Sequence, residues 1–112
     1  MDLLQGLMTR RSVRQFTRNR SVPKQDMKEI LEAAMYAPSG RNAQSWEFIV
    51  VDDKELCKKI VDIHPYSVHL NDSGLAIIVC GDLKAQMDED YWTVDCAAAT
   101  ENLLLACHAK GL

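Results

Sequence analysis

The sequence predicts a layered domain of mixed α/β (α+β) class, and three observations predict it. Two short runs, Trp46–Val51 (W-E-F-I-V-V) and Leu75–Cys80 (L-A-I-I-V-C), are rich in β-branched and apolar residues and read as strands. Four other segments carry apolar residues at helical spacing. The chain has 112 residues, 47% hydrophobic and 26% charged, a composition that suits a globular core rather than disorder. A chain of this length buries roughly 65% of its unfolded surface, enough for one core.

The elements follow in order. Asp2 to Thr9 carries Leu3, Leu4, Leu7 and Met8, an apolar stripe on a short helix. The basic segment after it holds Ser12, Thr17, Asn19 and Ser21 and reads as loop. Pro23 suits a first helical position. Met27, Ile30, Leu31, Ala34 and Met35 then mark a helix from about Lys24 to Tyr36, which Pro38, Ser39 and Gly40 end. The strand Trp46–Val51 reads as buried. Asp52 and Glu55 resemble a capping box for a helix whose inner face is Leu56, Cys57, Ile60 and Val61 and which Pro65 closes. Leu75–Cys80 is a second strand, stopped by Gly81. After a polar acidic loop a long helix runs from about Glu89 to Lys110, with Gly111 as its stop.

That last helix is apolar on nearly every face from Val94 to Cys107, where a surface helix shows one stripe. It is therefore expected either to be central or to lie between two subunits. Two strands make a marginal sheet, so the chain reads as the first part of a larger layered domain.

Net charge is −3, which argues against electrostatic binding of nucleic acid by the whole chain. No apolar run approaches the ~20 residues that cross a bilayer. Cys57, Cys80, Cys96 and Cys107 form no C-x-x-C pair. Cys96 and Cys107 lie three turns apart on one helix, roughly 16 Å, too far to bridge. Four reduced core thiols in a reducing, cytoplasmic compartment are expected. His64, His69 and His108 have no ligand spacing, so no metal site is expected. Six cations and no acid lie between Asp2 and Asp26. Such a start also fits a transit peptide, but it passes directly into the patterned domain.

Two segments carry candidate chemistry. In Arg10-Arg11-Ser12-Val13-Arg14, three guanidiniums and a hydroxyl follow a short helix. Guanidinium forks suit phosphate oxygens, although a solvated basic loop looks the same in sequence. In Ala37–Trp46 (A-P-S-G-R-N-A-Q-S-W), Asn42 and Gln44 each offer a donor and an acceptor that suit the edge of a heterocycle, within what is otherwise ordinary turn composition. There is no G-x-G-x-x-G, Walker sequence or nucleophile elbow. The cluster Asp88, Glu89, Asp90 suits a solvated helix start. With no acid, base or nucleophile set in view, any chemistry belongs to a cofactor.

Together, R-R-S-V-R-Q-F, then I-L-E-A-A-M-Y-A-P-S-G-R-N-A-Q-S-W-E-F-I-V-V, then D-C-A-A-A-T-E-N-L-L-L-A-C-H-A-K-G-L, in that order and spacing, resemble the FMN-dependent nitroreductase family. The resemblance implies a three-layer fold with a central sheet flanked by helices, incomplete in this chain, residues 1–112 forming one FMN-binding domain. It implies a homodimer with FMN at the interface. Arg10, Arg11, Ser12 and Arg14 would meet the FMN phosphate and ribityl chain. Pro38, Ser39, Asn42 and Gln44 would come from the other subunit. The long last helix would be the central dimer helix. The implied activity passes hydride from NAD(P)H through the flavin to a nitroaromatic, quinone or similar small acceptor, with no side-chain acid, nucleic acid or membrane involved. The alternative is a non-catalytic FMN-binding or dimerisation module. Members usually continue past the helix ending in G-L, and where they commonly have Pro before Trp this chain has Ser45.

Overall fold

The computed structural model describes residues 1–112. Helix α1 spans Leu3–Thr9, α2 Lys24–Met35, strand β1 Trp46–Val51, α3 Lys54–Ile63, α4 Leu70–Ser73, β2 Ala76–Gly81 and α5 Trp92–Ala109. The mixed class and all six expected elements are present. The short α4 was not expected; its four residues are too few to show a helical period.

The chain divides into two compact units. One comprises Met1–Arg11, Val22–Glu47 and Val79–Leu112; the other comprises Ser12–Ser21 and Phe48–Ile78. In the first, α2 and α5 pack on each other, and Ile30 and Ala34 of α2 and Cys96, Ala99 and Leu103 of α5 are buried. The Asn102 amide donates to the Ala33 carbonyl at 2.9 Å, tying α5 to the last turn of α2. Pro23 stands at the N-cap of α2 rather than in its first turn. At the far end of α5, Gly111 adopts φ 73°. Its N–H donates to His108 O at 3.1 Å and that of Leu112 to Cys107 O at 3.0 Å. This paired closure needs a left-handed residue just past the helix, which is where glycine is favoured.

In the second unit the N-cap of α3 is Asp53, one residue later than expected: its Oδ1 accepts from the N–H of Glu55 at 2.8 Å and of Leu56 at 3.2 Å. Cys57 is the buried residue of this helix, whereas Leu56 is exposed. The loop Ser12–Ser21 is pinned in this unit by three contacts. Phe16 lies against the His69 ring, Arg18 Nε pairs with Asp72 at 2.6 Å, and Lys54 Nζ donates to Asn19 at 3.3 Å.

The strands form one two-stranded sheet. The N–H of Asp82, just after β2, donates at 2.6 Å to the carbonyl of Ser45, just before β1. The end of one strand therefore lies beside the start of the other, and the pair is antiparallel. The expectation of a buried β1 holds only for its ends. Trp46 and Val51 are buried, while Ile49 is 52% exposed, because a sheet of two strands leaves inner positions uncovered.

Helix α5 begins at Trp92, three residues later than expected, so Asp88, Glu89 and Asp90 precede it instead of forming its first turn. Asp90 takes a left-handed φ of 59°, which no helical residue adopts. The expectation that α5 is covered all round also fails within one chain. Its buried residues, Asp95, Cys96, Ala99 and Leu103, form a single stripe, and Val94 and Leu104 are exposed.

Candidate functional site

The polypeptide leaves α2 at Tyr36, buries Ala37, and is turned away from helix by Pro38. A single 3-10 turn follows at Gly40–Asn42. Its closing bonds run from Asn42 N–H to Ser39 O at 3.1 Å and from Ala43 N–H to Gly40 O at 3.0 Å. Ser39 Oγ accepts from the Gln44 N–H at 3.0 Å. Three non-glycine residues here are left-handed: Arg41 at φ 53°, Asn42 at 55° and Gln44 at 50°. Such conformations cost on the order of 1–3 kcal/mol each and survive only where the surroundings fix them; asparagine tolerates them best.

The fixing group is Asp95 of α5, which is 2% exposed. Its Oδ1 accepts the Gly40 N–H at 2.8 Å and its Oδ2 accepts the Ser45 hydroxyl at 3.0 Å. Ser45 is itself fully buried. Gly40 lies against the Tyr91 ring, where a Cβ would overlap ring carbons. Outside this anchor, Pro38, Asn42 and Gln44 are exposed. The turn thus presents side-chain amides outward from a held backbone. Arg41 reaches Asp88 at 3.2 Å.

The arginine segment begins at the end of α1. Arg10 caps that helix, its N–H donating to Gly6 O at 3.1 Å. Its Nε lies 3.6 Å from Glu101 of α5. Arg11 folds back, Nη1 donating to Met8 O at 3.0 Å and to Arg10 O at 2.9 Å. Ser12 and Arg14, in the second unit, are exposed on irregular backbone. The structure therefore gathers Pro38, Ser39, Asn42 and Gln44 in one turn and sets Arg10 and Arg11 at the end of α1. The α5 partners of these two features, Asp95 and Glu101, are six residues apart. That spacing is about 9 Å of rise and about 120° of net rotation, so they occupy different faces of the helix.

Three of the four cysteines sit where the thiol is favoured over the thiolate. Burial pushes the Cys57, Cys96 and Cys107 thiols up, and the Asp95 charge adds to the effect at Cys96. A raised thiol stays protonated and unreactive.

Asp95 is the residue that sequence reasoning passed over. Its signal was nonetheless there: one acid within the apolar run from Val94 to Ala99, in register with Ala99 and Leu103 on what became the buried stripe. A buried carboxylate must be hydrogen-bonded, so such an acid implies donors opposite it.

Residues 7–68 match the nitroreductase family. Over 112 residues the chain is 42% identical to a protein of Methanothermobacter thermautotrophicus named "Putative NADH dehydrogenase/NAD(P)H nitroreductase", covering 100% of this chain and 58% of that one. It is also 42% identical to a protein of the same name from Archaeoglobus fulgidus, covering 99% of this chain and 64% of that one. The chain thus spans about three fifths of the length of these curated relatives. Among solved structures it resembles an FMN-dependent nitroreductase from Clostridium difficile at 32% identity and a TM-score of 0.86, covering 97% of this chain and 62% of that one.

Proposed function

Because the chain belongs to the nitroreductase family, we propose that residues 1–112 act as one FMN-holding domain of an oxidoreductase using NAD(P)H. The arginine segment of one copy would meet the flavin phosphate, and the amide-bearing turn of a second copy would meet the rest of the molecule. Arg10, Arg11, Ser12 and Arg14 are the residues of the first contact; Pro38, Ser39, Asn42 and Gln44 are those of the second.

The observation that carries this reading is the state of the donors. Arg14 and Ser12 are exposed and bond to nothing else in the chain, and the same is true of the Asn42 and Gln44 amides. These groups fit a phosphate ester and a polar heterocycle, the two polar parts of FMN. Arg10 shares its charge with Glu101, and Arg11 commits one nitrogen to backbone carbonyls, which leaves its other guanidinium nitrogens to donate. The name of the C. difficile structure, an FMN-dependent nitroreductase, supports the choice of flavin.

When bound, FMN supplies the hydride chemistry. The residues of this chain hold and orient it, and none is required as a proton donor. Nitroaromatics and quinones are the proposed acceptors. The second copy is supported by uncovered apolar surface. Leu3, Leu4, Leu7 and Met8 of α1 are exposed, as are Val94 and Leu104 of α5. Exposed apolar side chains in such numbers suit an interaction surface. No helix is long and apolar enough to cross a membrane. The four free thiols support a reducing, cytoplasmic setting.

Titration with FMN, followed by quenching of flavin fluorescence, tests the reading directly. Binding is expected at one flavin per chain, and a protein that quenches nothing refutes it. Oxidation of NAD(P)H with menadione or nitrofurazone then separates an enzyme from a module that only binds flavin or dimerises.

A further inference from the structure

We infer that Asp95 is a positioning residue for the flavin-facing turn: one buried carboxylate clasps both ends of the segment Gly40–Ser45 and so fixes the orientation of the amides it displays. The inference rests on the reading of that turn as half of a flavin site.

Both carboxylate oxygens are used, and on two points five residues apart in the chain. Oδ1 takes the Gly40 N–H at 2.8 Å and Oδ2 the Ser45 hydroxyl at 3.0 Å. Between these points lie the left-handed residues Arg41, Asn42 and Gln44. Left-handed side-chain-bearing residues relax toward ordinary backbone when their ends are free. The internal bonds of the turn, Asn42 N–H to Ser39 O, Ala43 N–H to Gly40 O and Gln44 N–H to Ser39 Oγ, stop at Gln44 and do not reach Ser45. The clasp does. It also joins the turn to the sheet, because the Ser45 carbonyl accepts from Asp82 N–H at 2.6 Å. Asp95 is placed to serve in this way because it occupies the stripe of α5 that packs inward, beside Cys96 and Ala99. Nothing else on that stripe is charged. An apolar residue would pack there without a desolvation penalty, whereas an acid is stable only with donors to meet it.

The test has two readouts. One is the dissociation constant for FMN. The other, independent of flavin, is the rate of tryptic cleavage after Arg41, whose side chain is 69% exposed, relative to cleavage after exposed Lys84. Asp95→Ala leaves the part-buried Gly40 N–H and the buried Ser45 hydroxyl without an acceptor, so cleavage after Arg41 should rise about tenfold and FMN affinity should fall about tenfold, with helical circular dichroism retained. Asp95→Asn keeps one acceptor oxygen for Gly40 and gains an N–H for the Ser45 hydroxyl. It should restore both values to within about threefold of wild type, a rescue that loss of general stability does not predict. If Asp95→Ala does not fold, Ser45→Ala removes one arm alone and should move both readouts in the same direction by about threefold. A folded Asp95→Ala protein with wild-type affinity overturns the inference, whether or not its turn is cut faster. A wild-type protein that binds no FMN overturns the flavin reading and this inference with it, and the cleavage ratio then decides only whether Asp95 holds the turn.

Discussion

The two ends of α5 are held by different physics. Near its N-terminus the helix grips the turn through a buried carboxylate with a hydrogen bond to each oxygen, and the Tyr91 ring closes over Gly40. Toward its C-terminus the contacts are exposed or half-buried. Glu101 meets Arg10 at 3.6 Å, His108 Nε2 meets Thr9 Oγ1 at 2.8 Å, and Lys110 meets Asp26 at 2.9 Å and also pairs with Glu29. Buried, satisfied polar groups are costly to disturb, whereas exposed ion pairs contribute roughly 0–1 kcal/mol. The half of the candidate site that hangs on the first end is therefore rigid before any ligand arrives. Arg10, which meets the second end through Glu101, is held only by a half-exposed contact and stays adjustable.

The strongest way to break that contrast is Asp95→Ala. It strands the Gly40 N–H and the Ser45 hydroxyl inside the first unit, and the expected loss in unfolding free energy is about 2–4 kcal/mol, read from urea denaturation. A loss below that of a surface pair would mean that the two ends are held alike. Gly40→Ala attacks the same end by volume. The added methyl meets the Tyr91 ring, and the expected cost is about 1–3 kcal/mol. Tyr91→Ala in the same background should return most of it, since the ring is what the methyl strikes.

Much of this was legible in the sequence. The strand Trp46–Val51 was readable to the residue, because β-branched and aromatic side chains cluster there between turn formers. The stop at Gly111 was readable because only one residue type closes a helix that way at little cost. The two candidate segments were readable as residue types in order. Burial was not. The sequence of α5 is apolar all round, and nothing in it says that a single chain covers one stripe and leaves Val94 and Leu104 in solvent. Nor could spacing show that Asp95 and the turn, fifty residues apart in sequence, share hydrogen bonds. Contacts at that separation are decided by packing, and a helical period reports only which residues share a face.

The arginine segment makes its own predictions. Arg14→Ala should weaken FMN by about 1.5–3 kcal/mol, the worth of a charge-assisted hydrogen bond, without changing the denaturation midpoint, because the side chain is exposed. A matching loss of stability would place Arg14 in the fold rather than in the site. Glu101→Gln should change stability by less than about 1 kcal/mol. It should not weaken FMN, because it releases Arg10 from its carboxylate. Weaker FMN binding in this variant would show that the pair pre-orients Arg10, and that the second end of α5 is as organised as the first.

The smallest effect belongs to Lys110, and it shows the contrast through pH and salt. Hydrogen bonds to Glu29 and Asp26 hold the Lys110 ammonium above its usual range, and Lys110 holds the Glu29 carboxyl below its own. The raised lysine contributes stability that is complete below its unfolded pKa and is lost as pH rises through the folded one. The lowered glutamate contributes stability that is complete above its unfolded pKa and is lost as pH falls through the folded one. The difference in thermal midpoint between wild type and Lys110→Met should therefore be flat across neutral pH. It should shrink below the ordinary carboxylate range and again above the ordinary lysine range. Salt separates this end of the helix from the other. At about 1 M the Debye length is roughly 3 Å, and the Lys110→Met difference should nearly vanish. The deficit of Asp95→Ala should persist, since no solvent ion can replace the acceptor that Gly40 and Ser45 lose.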